Sequence, residues 1–424
     1  MNNVIAYLQS RGLIDATTSQ DLLHKVTSPI KAYIGFDPTA DSLHLGNLLG
    51  IVILRWFQKF GHTPVVVLGG ATGRIGDPSG KSNERPLLDD MTIADNVLKI
   101  TRNFSRILDF QCTNAPVFLN NNDWYAKFTL IDFLRDVGKH FRLGIMLAKD
   151  SVRSRVDAEE GMSFTEFSYQ ILQAFDFYHL FTTEDVCLQM GGSDQWGNIT
   201  AGTDLIRKLT GQPVFGLTFP LLTRYDGKKF GKSEEGAIWL SPEKCSPYQF
   251  YQYLVKVSDA DVIKLLRMLT FLDLEEIQRL ENSMKDPAYL SNTAQKKLAE
   301  ELTVMVHGVE GLQAALKVTQ GASPGSTGLA LDVDLLQSIA DDMPHCKMSK
   351  ASVIDQRYID VIALSGVVSS KGEASRLVAG GGAYLNNSKV EDSSLKISEK
   401  DLIGGEFLLL GMGKKKKILI RIED

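Results

Sequence analysis

Over the first 220 residues, short and almost wholly apolar runs alternate with stretches whose apolar positions recur every three or four residues. KAYIGF at 31–36, Pro64 to Gly70, Ala115 to Leu119 and Val186 to Met190 have strand length, and such unbroken runs are typical of strands covered on both faces. The segment from Leu43 through Trp56 and the stretch near 90–108 repeat at helical spacing, so the pattern predicts parallel β-α-β units with a mostly helical insertion at about 121–185. MNNVIAYLQSRGLID at the start reads as a short amphipathic helix. Ser246-Pro247-Tyr248 opens a helical region reaching about 318, with Val262, Leu265, Leu266 and Leu269 on one stripe. TQGASPGSTG and DDMPHCKMSK then read as linker, and 352–424 as helix, helix, strand and hairpin, with turns at Gly380-Gly381-Gly382 and Asn386-Asn387. The expected divisions are 1–220, 221–320 and 352–424, with 321–351 as the connection.

Composition narrows the partners only slightly. The chain has 424 residues, 44% apolar and 23% charged, enough for two or three ordinary globular domains. A formal net charge of −5 argues against nucleic-acid binding by bulk electrostatics, so an RNA contact would need a local basic patch. In 352–424 there are eleven Lys/Arg against ten Asp/Glu, and the positive charge gathers at Lys414, Lys415, Lys416 and Lys417. Such a run is either a solvated turn or a phosphate contact. Cys112, Cys187, Cys245 and Cys346 are scattered without a C-x-x-C pair, which indicates neither a zinc knuckle nor a disulfide framework and fits a reducing compartment. No apolar run approaches the roughly 18 residues of a membrane span.

Candidate chemistry concentrates in two stretches. In KAYIGFDPTADSLHLGNLLG a strand ends at Asp37-Pro38-Thr39, and Ser42 is placed to cap a helix from about Leu43, which puts His44 and Asn47 on one face of its first turn. Unpaired N–H groups and the positive end of the helix dipole favour a phosphate there, and Gly46 leaves room for close approach. A capped core helix would need no ligand. The second stretch is Lys229-Phe230-Gly231-Lys232-Ser233, whose two lysines on a glycine-hinged loop could close over a triphosphate and neutralise a departing pyrophosphate. GGATGRIGDPSGKSNER at 69–85 suits a loop that hugs a ligand, but it is not a P-loop, because Ile75 occupies the position of the first required glycine. No nucleophilic triad is evident, so in-line displacement by the substrate is the simpler chemistry.

FDPTADSLHLGN, GGATGRIGDPSGKS, LRDVGKHF, SFTEFSYQILQAFDF, GGSDQWGNI and KFGKS together resemble the tyrosyl-tRNA synthetases of the bacterial and organellar type, a class I aminoacyl-tRNA synthetase family, nearly end to end. Asn47 stands where the family more often has a second histidine, and Phe230 where it usually has methionine. The resemblance implies an α/β protein: a Rossmann-like parallel-sheet catalytic domain, then an α-helical domain, then a small α+β RNA-binding domain like that of a ribosomal small-subunit protein. It implies that Tyr33 and Asp176 bond the phenolic hydroxyl of L-tyrosine, that Asp77, Tyr169 and Gln173 hold its ammonium, and that Gln195 lies near its carboxylate. Asp37, Thr39, His44, Gly46, Asn47, Gly192, Asp194 and Lys232 would contact ATP, with Lys81, Arg85 and Lys229 closing over pyrophosphate. It further implies magnesium arriving with ATP and no dedicated protein metal site. The implied partners are tRNA(Tyr), reached in part through Lys414 to Lys417, and a second copy of the chain. The implied setting is a bacterial cytoplasm or an organelle interior. A related nucleotidyltransferase would lack the SYQILQAFD face, and a synthetase-derived RNA-binding protein could have lost His44 or the lysines; all are present in this chain.

Overall fold

The computed structural model describes residues 3–80, 87–157, 161–233, 236–321, 333, 336, 337, 340, 343–413 and 416–423. The chain divides into two compact units, Met1–Lys244 with Lys256–Val306, and Cys245–Val255 with His307–Asp424.

The first unit is built on a six-stranded sheet: β1 (Ala16–Thr17), β2 (Lys31–Phe36), β3 (Thr63–Leu68), β4 (Val117–Asn120), β5 (Val186–Gly192) and β6 (Phe215–Phe219). Their order is β1-β6-β5-β2-β3-β4, with β1 antiparallel to β6 and every other pairing parallel. Sequence patterning finds β2 to β5; it misses β6, an apolar pentapeptide, and the two-residue β1 that pairs with it. The chain leaves β2 toward β3 on one side and β5 toward β6 on the other, so the carboxyl ends of β2 and β5 flank the switch in strand order where open α/β sheets bind ligands. Asp37 follows one of these ends and Ser193–Gln195 the other.

Two helices serve the sheet's ligand end. Leu45–Lys59 is buried on nearly every side, with Leu48, Leu49, Ile51, Val52, Ile53, Leu54 and Phe57 all in the core, so its position is set by packing. Phe164–Glu184 is capped by the Ser163 hydroxyl, which accepts the Glu166 N–H, and buries Ala174, Phe175, Phe177 and Leu180 while turning polar groups inward. Near its start a buried ion pair joins Arg155 to Glu166 at 2.9 Å. The buried guanidinium of Arg11 donates to the carbonyls of Arg267, Thr270 and Leu272 at 2.7–2.8 Å and lies over the Trp56 ring, tying the end of the helix Asp259–Leu269 to the core. A small hairpin, β7 (Lys232–Ser233) with β8 (Gly236–Ala237), carries the end of the lysine loop.

The second unit has a five-stranded sheet of β9 (His345–Ser349), β10 (Ala383–Leu385), β11 (Ser388–Lys389), β12 (Phe407–Met412) and β13 (Lys416–Glu423), in the order β11-β10-β12-β13-β9. One face, with Leu408, Leu410, Ile418 and Ile420, packs on Val353, Tyr358, Ile362 and Val378. The other face, with Phe407, Leu409 and Leu419, is covered by Leu336, Ala340 and Met343. This corrects the expected linker at 321–351. β12 is apolar on both faces, so it needs cover on both sides; Leu336, Ala340 and Met343 supply that cover and His345–Ser349 an edge strand. The Asn386-Asn387 turn is present, with both residues at positive φ. Lys414 and Lys415 lie outside the described residues. Lys416 and Lys417 begin β13 opposite Met412 and Gly411, and burial pulls the half-buried Lys417 ammonium down to about 8, so it is not a plain solvated turn residue. Among the described residues, no helix is long and apolar enough to cross a membrane.

Candidate active site

The helix that follows β2 starts two residues later than its sequence signal suggests. His44, not Ser42, is the N-cap. Its Nδ1 accepts the Gly46 N–H at 3.0 Å, while the Asn47 side-chain oxygen accepts the His44 N–H at 3.1 Å, closing a reciprocal capping box. Ser42 instead donates to the Leu43 carbonyl and accepts the Ser241 N–H. With Nδ1 used as an acceptor, a neutral His44 carries its proton on Nε2 and presents a donor. Gly46 is required because a Cβ there would stand 2.9 Å from the imidazole Cε1. Asn47 therefore acts first on the backbone of its own turn.

The lysine loop, nearly two hundred residues later in sequence, returns to this turn. Leu45 N–H donates to the Ile238 carbonyl at 2.7 Å, Leu240 N–H to the Leu43 carbonyl at 2.8 Å, and His44 faces Trp239 in an antiparallel bridge. Gly231, at φ +86°, passes so close that a Cβ would lie 3.1 Å from the Leu45 Cβ and 3.2 Å from the Gly46 nitrogen. Phe230 is buried, while Lys229 and Lys232 are exposed. Lys229 Nζ donates to the Gly80 carbonyl at 3.2 Å, and a Cβ on Gly80 would come 3.0 Å from an Asp194 carboxylate oxygen. His44, Gly46, Asn47, Lys229, Gly80 and Asp194 thus meet around one space, with Gly192 beside Asp194. Thr39 is exposed just past β2. Lys81 and Arg85 lie outside the described residues.

A second cluster occupies the interior side of the switch point. Asp176, 5% exposed, accepts from Asn121 at 3.1 Å and Trp124 at 2.8 Å. Burial pushes its carboxyl up to about 7 against the pull of those donors. Tyr33, 2% exposed, accepts a hydrogen bond from the Gln189 amide, and its hydroxyl is raised well above the usual tyrosine value by burial and then by the Asp176 charge. With its oxygen engaged by Gln189, Tyr33 keeps its own proton to donate.

Asn121 links this end to the next. It donates to Thr72 at 2.8 Å, Thr72 donates to Asp37 at 2.8 Å, and Tyr169 donates to the other Asp37 oxygen at 2.9 Å. Asp77 accepts from Gln195 at 2.6 Å and Asn198 at 3.4 Å, and Asn198 also donates to Gln173 at 3.0 Å. Burial and then the charges of Asp37 and Asp77 hold the Tyr169 hydroxyl well above its usual value. Tyr169, Gln173 and Asp176 share the inward face of one helix, as the spacing predicts, and three carboxylates surround a space lined with amides and phenols. Such a space suits a small zwitterion carrying a hydroxyl of its own.

Asn121, Trp124, Gln189, Asn198 and Thr72 escape the sequence reading. Each is an ordinary polar or aromatic residue whose role depends on a partner 25 to 156 positions away. The local traces are Thr72 and Asn198 inside the motifs GGATGRIGDPSGKS and GGSDQWGNI, and Asn121-Asn122-Asp123 following β4 at its carboxyl end.

Comparison with known proteins gives the family. Residues 25–322 match the family described as tRNA synthetases class I (W and Y), and residues 334–420 the tyrosine-tRNA ligase SYY-like C-terminal domain. The chain is 57% identical to the tyrosine-tRNA ligase of Protochlamydia amoebophila across all of both chains. It is 50% identical to the chloroplastic/mitochondrial tyrosine-tRNA ligase of Arabidopsis thaliana, over 99% of this chain and 84% of that one. Among solved structures, the C-terminally truncated mitochondrial tyrosyl-tRNA synthetase of Aspergillus nidulans is similar at 32% identity and TM-score 0.66, over 74% of this chain and 92% of that one. The Archaeoglobus fulgidus tyrosyl-tRNA synthetase, at 16% identity and TM-score 0.56 over 73% and 99%, shares the fold. With a family match across most of its length and relatives this similar from end to end, the chain belongs to the class I tRNA synthetases, in their tyrosine-tRNA ligase family.

Proposed function

We infer that the chain activates L-tyrosine with ATP and transfers it to tRNA(Tyr). The observation that carries this reading is the juxtaposition, at one sheet switch point, of the buried Tyr33–Asp176 cluster and the paired HLGN turn and lysine loop. Tyr33 donates to the phenolic oxygen of the substrate and Asp176 accepts its proton. Asp77, Tyr169, Gln173 and Gln195 surround the ammonium and carboxylate. ATP lies along Asp37, Thr39, Gly192 and Asp194, with its phosphates at the His44–Asn47 turn. One carboxylate oxygen of tyrosine attacks the α-phosphorus, the bond to the bridging oxygen breaks, and pyrophosphate leaves toward Lys229 and Lys232, joined by Lys81 and Arg85. His44 donates from Nε2 and the lysines meet charge that grows on the leaving group, so both act most strongly in the transition state. A terminal ribose hydroxyl of the tRNA then attacks the tyrosyl carbonyl and AMP departs.

Magnesium enters this reading bound to the phosphate oxygens of ATP. The second unit is the RNA-binding part, with Lys414, Lys415, Lys416 and Lys417 contributing phosphate contacts. A homodimer is supported by exposed large apolar side chains, Leu130 at 72%, Ile131 at 69%, Leu143 at 65% and Phe164 at 77% exposure, of which Leu143 and Phe164 line one cleft. Sedimentation of the chain checks the dimer. The setting is a bacterial cytoplasm or an organelle interior.

ATP–pyrophosphate exchange with each of the twenty amino acids, followed by charging of tRNA, tests the whole reading. Tyrosine alone should support exchange, and exchange with another amino acid in its place would overturn it.

A further inference from the structure

Lys229 stands on a hairpin that is held from outside the loop. Phe230 N–H donates to the Leu222 carbonyl and Arg224 N–H to the Lys228 carbonyl, each at 2.8 Å, with Thr223 facing Lys229 across an antiparallel bridge between them. Gly227 turns the tip at φ +79°. From Arg224 to Lys229 every residue is exposed, so little apolar burial sets the tilt of this hairpin. One external cation reaches its base: Lys264 Nζ donates to the Thr223 carbonyl at 3.1 Å and to the Thr223 hydroxyl at 3.3 Å. Lys264 projects from the helix Asp259–Leu269, which is fixed by its buried Val262, Leu265 and Leu266 and by the Arg11 guanidinium on its final carbonyls.

We propose that Lys264 is a positioning residue for tyrosine activation: by gripping Thr223 it holds the strand opposite Lys229 and keeps that lysine directed at the phosphate space. The proposal rests on the reading that Lys229 and Lys232 meet the leaving pyrophosphate. Lys264 is itself exposed and acts only through the backbone and hydroxyl of Thr223. Without the grip the hairpin spends more time in tilts from which Lys229 does not reach the phosphates, which lowers turnover while leaving the tyrosine pocket untouched.

The test compares Lys264→Met, which keeps the aliphatic stem and removes the donor, with Lys264→Arg, which keeps a donor, alongside Lys232→Ala. In pyrophosphate exchange Lys264→Met should lose about three- to tenfold in kcat, the range expected for one hydrogen bond. Its tyrosine KM should not move, tryptic cleavage between Arg224 and Lys229 should accelerate, and Lys264→Arg should restore both turnover and protection. A Lys264→Met enzyme within twofold of wild type, beside an impaired Lys232→Ala, overturns the proposal and leaves the loop reading intact. A loss that Lys264→Arg shares, with cleavage unchanged, also overturns it. An unimpaired Lys232→Ala removes the loop reading beneath it.

Discussion

At the interior end of the site, Asp176, Tyr33, Asn121 and Gln189 are each 5% exposed or less and hydrogen-bonded in pairs, Asn121 to Asp176 and Gln189 to Tyr33, whereas Lys229 and Lys232 at the loop end stand in solvent on a loop with glycines at positive φ. The difference follows from what each end is asked to do. Telling tyrosine from phenylalanine rests on one hydroxyl, and a missing hydroxyl is costly only where the groups it should satisfy are buried and have no water to turn to. Neutralising pyrophosphate, in the proposed function, needs cations that approach and then release, and both lysines are solvent-exposed. On that proposal the buried end selects and the exposed end accelerates.

The sharpest way to break this comparison is Lys232→Ala. Adenylate formation in a single turnover should fall by about two to three orders of magnitude, as for loss of one preorganised transition-state donor, with tyrosine binding unchanged. A comparable loss in tyrosine affinity would show that the two ends are not separable. Asp176→Asn should do the converse. Tyrosine affinity should drop by about ten- to a hundredfold, the range for a hydrogen bond to a charged group, while phenylalanine binding changes little, as read by equilibrium titration with both amino acids. Tyr33→Phe should relax the preference less, because a phenylalanine ring fills the same space and Gln189 loses only one partner.

A smaller effect follows from pH. Burial raises the Asp176 carboxyl in the fold from an ordinary value near 3.8 to about 7. The stability associated with this raised pKa is therefore fully present below about 4 and is lost as pH rises through about 7. Thermal unfolding of the wild type should weaken relative to Asp176→Asn across that interval. Bound tyrosine donates its phenolic proton to the ionised form and lowers that pKa, so binding near pH 7 should release a fraction of a proton. Calorimetry in two buffers of different ionisation enthalpy measures it, and the release should vanish in Asp176→Asn. The smallest expected effect is at the loop end: Asn47→Ala opens the capping box and should cost about 1 kcal/mol of stability by denaturant titration. Tyrosine binding should not respond.

The apolar patterning of 31–36, 117–119 and 186–190, and the inward spacing of Tyr169, Gln173 and Asp176, were legible in the sequence because strand and helix periodicities are local properties of the backbone. HLGN and KFGKS were legible as motifs. Only the tertiary structure decided that His44 rather than Ser42 caps the helix, and that Gly231 needs its missing side chain because Leu45 and the Gly46 nitrogen lie against it. The same is true of Leu336, Ala340, Met343 and His345–Ser349, which lie in a stretch that looked like a linker by composition but cover and extend a sheet whose central strand is apolar on both faces. Asn121, Trp124 and Gln189 follow the same logic. A hydrogen bond forms between atoms that the fold brings within 3 Å or so, and separation along the chain carries no trace of that distance, so the residues that orient Tyr33 and Asp176 became visible only once the strands and helices had been put in place.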